Sequence, residues 1–326
     1  MRFLYIICLS GLLLTACKKK WGENPVSVID PVKVEYPVAF EQLEGRDPFV
    51  FVDTVAKKYY LTFNNKPHFR MYSSPDLKNW KDEGYAFTAA NDFWGKQDFW
   101  APDLYNFKNK YYIFATFSAP GTKRGTSVLT ADKPAGPYSV LENRAVTPQN
   151  WASLDGSLFV DETGNPWMVF CREWLEVTDG LVYAMPLADD LKTGSGSPVL
   201  LFNASSANWV APIQSGSTKG YVTDAPYVFK NNSGKLQMLW SSYDKKGNYA
   251  IGLATSESGT IAGPWKQLPD PLNDDDGGHA MTFKGLNGRQ YIAYHAPNTG
   301  VSRPRIYPVQ EENDRIYIIK QEANKK

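Results

Sequence analysis

The feature that most constrains this chain is a repeat about fifty residues long. In each unit a polar residue opens a short apolar strand, a turn carrying Lys, Asn or Gly follows, and a second apolar-aromatic strand returns. The opening recurs as Arg46-Asp47-Pro48-Phe49-Val50, Ala101-Pro102-Asp103-Leu104-Tyr105, Leu154-Asp155-Gly156-Ser157-Leu158, Thr223-Asp224-Ala225-Pro226-Tyr227 and Gly278-His279-Ala280-Met281-Thr282. Aligned on Asp47, Asp103, Asp155, Asp224 and His279, the units are spaced by 56, 52, 69 and 55 residues. No segment sustains a helical period; short runs such as Tyr111-Tyr112-Ile113-Phe114 and Trp167-Met168-Val169-Phe170 alternate with turn residues, which is the pattern of an all-β chain. Four strand-like runs per period of this length define propeller blades, and five such units predict a five-bladed β-propeller over residues 38–326. In a propeller the innermost strand of every blade faces one channel. The repeat therefore predicts that Asp47, Asp103, Asp155, Asp224 and His279 approach a common axis.

Composition narrows the function classes. The chain has 326 residues, 43% of them hydrophobic, with a formal net charge of +1. That length supports one sizeable core. The near-zero charge supplies no field to gather nucleic acid or an anionic membrane surface, so no nucleic-acid partner is expected. Aromatic residues reach 14%, with ten Trp and nineteen Tyr. Strands use such residues for packing, and their amphipathic rings also suit the faces of sugars.

The first seventeen residues read as an address. Met1-Arg2 precedes an apolar run from Phe3 to Leu14, then Thr15-Ala16-Cys17. The run is too short to cross a bilayer and fits a secretory signal. Leu14-Thr15-Ala16-Cys17 resembles a bacterial lipobox, which implies lipidation of Cys17 and an exported lipoprotein, periplasmic or anchored at the outer membrane. Residues 18–37 then form a tether kept extended by Pro25, Pro31 and Pro37. With Cys8 in the removed segment and Cys17 lipidated, Cys171 stands alone and no internal disulfide is expected. Its apolar neighbours mark it as a packing residue.

Several carboxylates meeting at one hub repel unless some are paired, protonated or bridged. One protonated and one ionised carboxylate flanking a bond are what glycoside hydrolysis requires, and a third nearby can keep the acid protonated. Gly45-Arg46-Asp47-Pro48, Trp100-Ala101-Pro102-Asp103, Leu154-Asp155-Gly156-Ser157-Leu158-Phe159 and Gly277-Gly278-His279 together resemble glycoside hydrolase family 43, over residues 40 to 310 or so. The resemblance implies a five-bladed propeller and an inverting reaction, with Asp47 as general base, Asp155 as the residue that orients the acid and tunes its pKa, and Asp103 in a structural part. It also implies activity as an arabinofuranosidase, β-xylosidase or arabinanase. One departure matters. The family's acid is usually a glutamate before a Gly-Pro or Ala-Pro pair, whereas this chain has Asp224, about 1.5 Å shorter in reach. Asp224 is the first candidate for the acid and Glu173, in Cys171-Arg172-Glu173-Trp174, is the alternative.

Other residues take supporting parts in this reading. Trp100, Trp94, Phe99 and Trp174 are candidate sugar platforms, and Arg303 (with Arg305 nearby) could face the carboxylates. By resemblance His279 contacts, largely through water, a structural calcium in the channel; three histidines in the chain argue against a zinc triad. No cofactor is required for the chemistry. The partner is an oligo- or polysaccharide, the membrane is met only through the lipid, and a monomer is expected. The leading expectation is an exo-acting α-L-arabinofuranosidase or β-xylosidase on plant-type polysaccharide. Endo-arabinanase or galactan-directed activity, or a non-catalytic glycan-binding lipoprotein, are the alternatives.

Overall fold

A computed structural model describes residues 37–320 apart from Lys66. The expected signal segment, Cys17 and nearly all of the tether lie outside these residues. Five antiparallel sheets, one per blade, are built from strands that follow one another in sequence. The first comprises Phe49–Asp53, Lys58–Asn65, His68–Ser74 and Asn79–Thr88, with the two-residue strand Val38–Ala39 added to its outer edge. The second runs Gln97–Phe107, Lys110–Ala119, Thr122–Ala131 and Ser139–Val140. The third runs Ser153–Val160, Pro166–Arg172, Leu181–Pro186 and Val199–Asn203; the fourth, Asp224–Lys230, Leu236–Tyr243, Tyr249–Ser256 and Trp265–Gln267. The fifth is Gly278–Lys284, Gln290–Ala296, Arg303–Glu312 and Arg315–Ile318. A hairpin, Ile213–Ser215 with Thr218–Gly220, is inserted between the third and fourth blades. It accounts for the one long spacing in the repeat.

Aromatic side chains fill the seams. Between the first two blades Phe69, Phe87, Phe93, Phe99 and Phe117 form one buried cluster, with Phe99 and Phe117 perpendicular at 5.0 Å. Pairs of this kind add about 0.5–1.5 kcal/mol beyond the area they bury. Within and beside the fourth blade Trp240 packs on Trp209 at 5.3 Å and donates its indole N–H to Gln267. Among the described residues no strand is exchanged where the last blade meets the first. The seam is instead tied by Gly45 N–H to Ser302 O (3.0 Å), Arg46 to Asn298 O (2.7 Å) and Leu286 N–H to the Tyr59 hydroxyl (2.7 Å).

The innermost strands share a device that corrects the register expected from sequence. Asp47, Ala101, Asp155, Ala225 and His279 all have positive φ, between 48° and 57°. In the second to fifth blades this residue opens a bulge, where pairing skips from Trp100 to Asp103, Leu154 to Ser157, Asp224 to Tyr227 and Gly278 to Met281. The equivalent positions are therefore Asp47, Ala101, Asp155, Ala225 and His279, and three of their four spacings are 54 residues. Asp103 sits two residues past its blade's left-handed position and Asp224 one residue before. The sequence repeats on acidic residues; the backbone repeats on conformation, which an aspartate tolerates better than an alanine.

Candidate active site

The bulges orient the polar groups of the hub. Each left-handed residue turns its N–H out of the sheet, and each N–H is taken by a side chain of the preceding blade. Asp47 donates to His295 Nδ1 (3.2 Å), Ala101 to Asn64 Oδ1 (2.6 Å), Asp155 to Thr116 Oγ1 (2.8 Å) and His279 to Ser241 Oγ (2.8 Å). Ala225 differs: it donates to the carboxylate Oδ2 of Asp155 (3.0 Å). Buried donors are thereby satisfied, and neighbouring blades are locked to one another where the carboxylates lie.

Above the hub opens a cleft of about 790 Å³, lined among others by Asp47, Asp155, Asp224, Glu173, Trp100 and His279. Asp47 and Asp155 are 8% and 7% exposed, enough for a substrate atom to reach them from the cleft. Asp47 accepts from Asn64 Nδ2 and faces His279 Nδ1 at 3.2 Å. His295 Nδ1 lies 3.2 Å from both the Asp47 amide and its Oδ1, accepting from the former when neutral and donating to the latter when protonated. Its Nε2 faces Asn298 Oδ1, which also takes the Arg46 guanidinium at 2.5 Å. Burial by itself would raise the Asp47 pKa. The imidazoles of His279 and His295, with Arg46, outweigh it and hold this carboxyl well below the ordinary range.

Asp155 and Asp224 go the other way, both pushed up to about 7. Burial is the first cause for each; the Asp47 charge adds to it at Asp155, and the Asp155 charge at Asp224. The Ala225 N–H and Arg124 oppose the rise at Asp155, and the Tyr249 hydroxyl, donating to Asp224 Oδ2 at 3.0 Å, opposes it at Asp224. One ionised and two elevated carboxyls thus share a site. His279 Nδ1 also faces Asp155 Oδ2 at 3.7 Å, so all three belong to one connected array.

Asp103 lies below the cleft in the narrow channel, bound by the Tyr105 hydroxyl at 3.1 Å. Burial pushes its carboxyl up strongly. Glu173 lines the cleft but is ion-paired with Arg124, which also reaches Asp98 at 3.1 Å and stacks over Trp100 at 4.3 Å. Its carboxylate is therefore engaged by a guanidinium.

The expected platforms divide. Trp100 and Trp174 line the cleft. Phe99 is 4% exposed inside the phenylalanine cluster, and a ring surrounded by rings has no face for a sugar. Trp94 donates its indole N–H to Ser127 (2.8 Å) and borders a separate cavity of about 280 Å³ with Arg124 and Arg144. Arg303 does not itself line the cleft but binds Glu44 at its edge (2.5 Å) and the Glu41 carbonyl (3.1 Å). Arg305 lies on the third strand of the fifth blade, paired with Tyr294. The guanidinium groups that act on the carboxylates are those of Arg46, at Asp47, and Arg124, at Asp155.

Asn64, His295, Asn298, Tyr249 and Arg124 were not found by sequence reasoning. One signal was available: Asn64, Thr116, Cys171, Ser241 and His295 recur at 52, 55, 70 and 54 residues on the second strands. Among the described residues no three His, Cys, Asp or Glu side chains come together in a way that could hold a metal ion. His279 Nδ1 is directed at carboxylates. The residues do not fit a directly held ion.

A five-bladed ring that gathers an ionised carboxylate and an elevated pair at the floor of a polar cleft is the arrangement that a carboxylate-dependent glycosidase uses to hydrolyse O-glycosyl bonds. The family model of glycosyl hydrolases family 43 matches residues 37–317, and the chain belongs to that family. It is similar to the endo-arabinase of Bacteroides thetaiotaomicron, at 54% identity and a TM-score of 0.84, covering 86% of this chain and 99% of that one. It is also similar to the extracellular exo-alpha-(1->5)-L-arabinofuranosidase ArbA of Cellvibrio japonicus, 26% identical over 88% of this chain and 84% of that protein. The beta-D-galactofuranosidase xynD of Aspergillus niger is 26% identical over 73% of this chain and 68% of its own length.

Proposed function

We propose that the protein is an inverting hydrolase of α-L-arabinofuranosyl linkages in an arabinan-type polysaccharide. The observation that carries the chemistry is the division of three buried carboxylates into one held ionised and two held elevated. In this reading Asp47, gripped by His279, His295 and Asn64, takes a proton from the attacking water. Asp224 protonates the leaving oxygen, and Asp155, hydrogen-bonded to the amide that follows Asp224, maintains its proton and orientation. Tyr249, donating to Oδ2 of Asp224, fixes the orientation of this shorter side chain. Glu173 serves instead to fix Arg124 against Trp100, a sugar platform together with Trp174.

Similarity at 54% identity to an endo-arabinase supports cleavage within the chain. The exo reading, which the sequence placed first together with β-xylosidase activity, draws support from the Cellvibrio relative. Digestion of linear arabinan separates them: an endo enzyme yields a ladder of oligosaccharides, an exo enzyme arabinose alone. Inertness toward arabinan and toward aryl arabinofuranosides and xylosides, with sugar binding retained, would establish the non-catalytic reading.

We further infer that Cys17 carries a lipid which tethers the propeller outside the cytoplasm through residues 18–37. Extracellular relatives support export; palmitate labelling lost in Cys17→Ser tests the anchor. A hydrated calcium contacted through water by His279 belongs to the same reading, tested by comparing melting in calcium and in chelator. Chromatography with light scattering tests the expected monomer.

A further inference from the structure

Around the hub, the residue facing the last position before each left-handed turn supplies the acceptor for the next blade's N–H. Asn64, Thr116, Ser241 and His295 do this through oxygen or nitrogen. In the third blade that place, opposite Leu154, belongs to Cys171, which is fully buried. A thiol is a weak acceptor. The Ala225 N–H that a hydroxyl there would take goes to Asp155 Oδ2 instead.

We propose that Cys171 is a positioning residue of the site: by declining the Ala225 N–H, it leaves that donor to tether the Asp155 carboxylate to the backbone beside Asp224. The consequence for catalysis rests on the function proposed above, but the tether rests on geometry alone. Ser241 shows what a hydroxyl does at this place, taking the His279 N–H at 2.8 Å. The titratable groups facing Asp155 are Asp47, His279, Arg124, Glu173, Asp224, Asp103, Tyr249 and Cys171 itself. Burial pushes the Cys171 thiol up, so it is uncharged like the serine, threonine or alanine that replaces it, and the hydrogen bond is the variable. Losing it makes ionised Asp155 less favourable, draws the proton of the pair onto Asp155, and strips Asp224 of its proton at lower pH.

The test compares Cys171→Ser and Cys171→Thr, which copy Ser241 and Thr116, with Cys171→Ala, which has no acceptor. In wild type and in Cys171→Ala the Ala225 amide proton should shift with pH as the carboxylate pair titrates. In the hydroxyl variants that response should fade, and the alkaline limb of kcat should move to lower pH with kcat down roughly ten- to a hundredfold, the loss of one hydrogen bond to a charged group. Should one hydroxyl variant fail to fold, the other decides. An Ala225 amide that follows the pair equally in a folded hydroxyl variant overturns the proposal. If the enzyme cleaves no arabinofuranoside but the amide behaves as described, the function falls and the tether stands.

Discussion

The Ala225 N–H donates to Oδ2 of Asp155 at 3.0 Å, crossing from the fourth blade to the third. Ala225 directly follows Asp224, so one backbone amide sets where two carboxyls lie relative to each other. The contact also divides their labour. Asp155 gains a donor that favours its charge, and that charge helps keep Asp224 neutral.

Asp47→Asn keeps the shape of the base and removes its charge. Activity on aryl α-L-arabinofuranoside should fall by roughly a hundredfold to ten-thousandfold, the span of general base catalysis. KM should change little, because the residue acts on water. Steady-state kinetics read both.

The two candidate acids separate by leaving group. Asp224→Asn should lose far more on arabinan than on an aryl glycoside whose phenolate departs unaided. Glu173→Gln should lose comparably on both, since it loosens Arg124 over Trp100. The reverse pattern would reassign the acid.

The pH dependence of kcat follows from the opposed shifts. The base must be ionised, and its lowered pKa puts the acid limb far below neutrality. The acid must be protonated, and activity should decline as pH rises through about 7. A pH profile over pH 3 to 9, a range chosen to bracket the carboxyl and histidine model values, tests this.

Stability carries the same sign. A carboxyl raised in the folded state contributes most below its unfolded pKa, and that contribution is lost as pH rises through the folded value near 7. Asp224→Asn removes the repulsion with Asp155. Above pH 7 it should therefore melt higher than wild type, by on the order of 2–4 °C for about 1 kcal/mol in a domain of this size. Calorimetry at pH 5 and pH 8 should show the larger gain at pH 8, because the penalty accrues between the unfolded pKa and the folded value near 7.

Gly278 has no room for a side chain, since a Cβ there would lie 2.3 Å from Tyr249 Cε1. Gly278→Ala should push that ring, and with it the hydroxyl on Asp224, out of place. A loss of kcat at least tenfold is expected, with a cost of about 1–3 kcal/mol from overpacking. Denaturant unfolding alongside kinetics separates the two.

The blades, their number and the convergence of the acidic residues were legible in the sequence because strands and turns repeat locally. The register was not. Asp103 and Asp224 matched Asp47 and Asp155 by residue type, while the backbone matched Ala101 and Ala225 by conformation, which no side chain announces. Phe99 and Arg303 lie near the motifs in sequence; alternation along the strand buries the first, and Glu44 at the edge of the cleft engages the second. His295 and Asn298 were missed because their partners, Asp47 and Arg46, lie on the opposite side of the seam.

That seam gives the enzyme a built-in order of assembly. Asp47 and His295 are 248 residues apart, so a ribosome releases the one long before it makes the other. Until the fifth sheet docks, the would-be base has no imidazole beside it. A chain stalled or clipped before that point would carry every acidic residue of the site and still lack the surroundings that hold the first of them ionised.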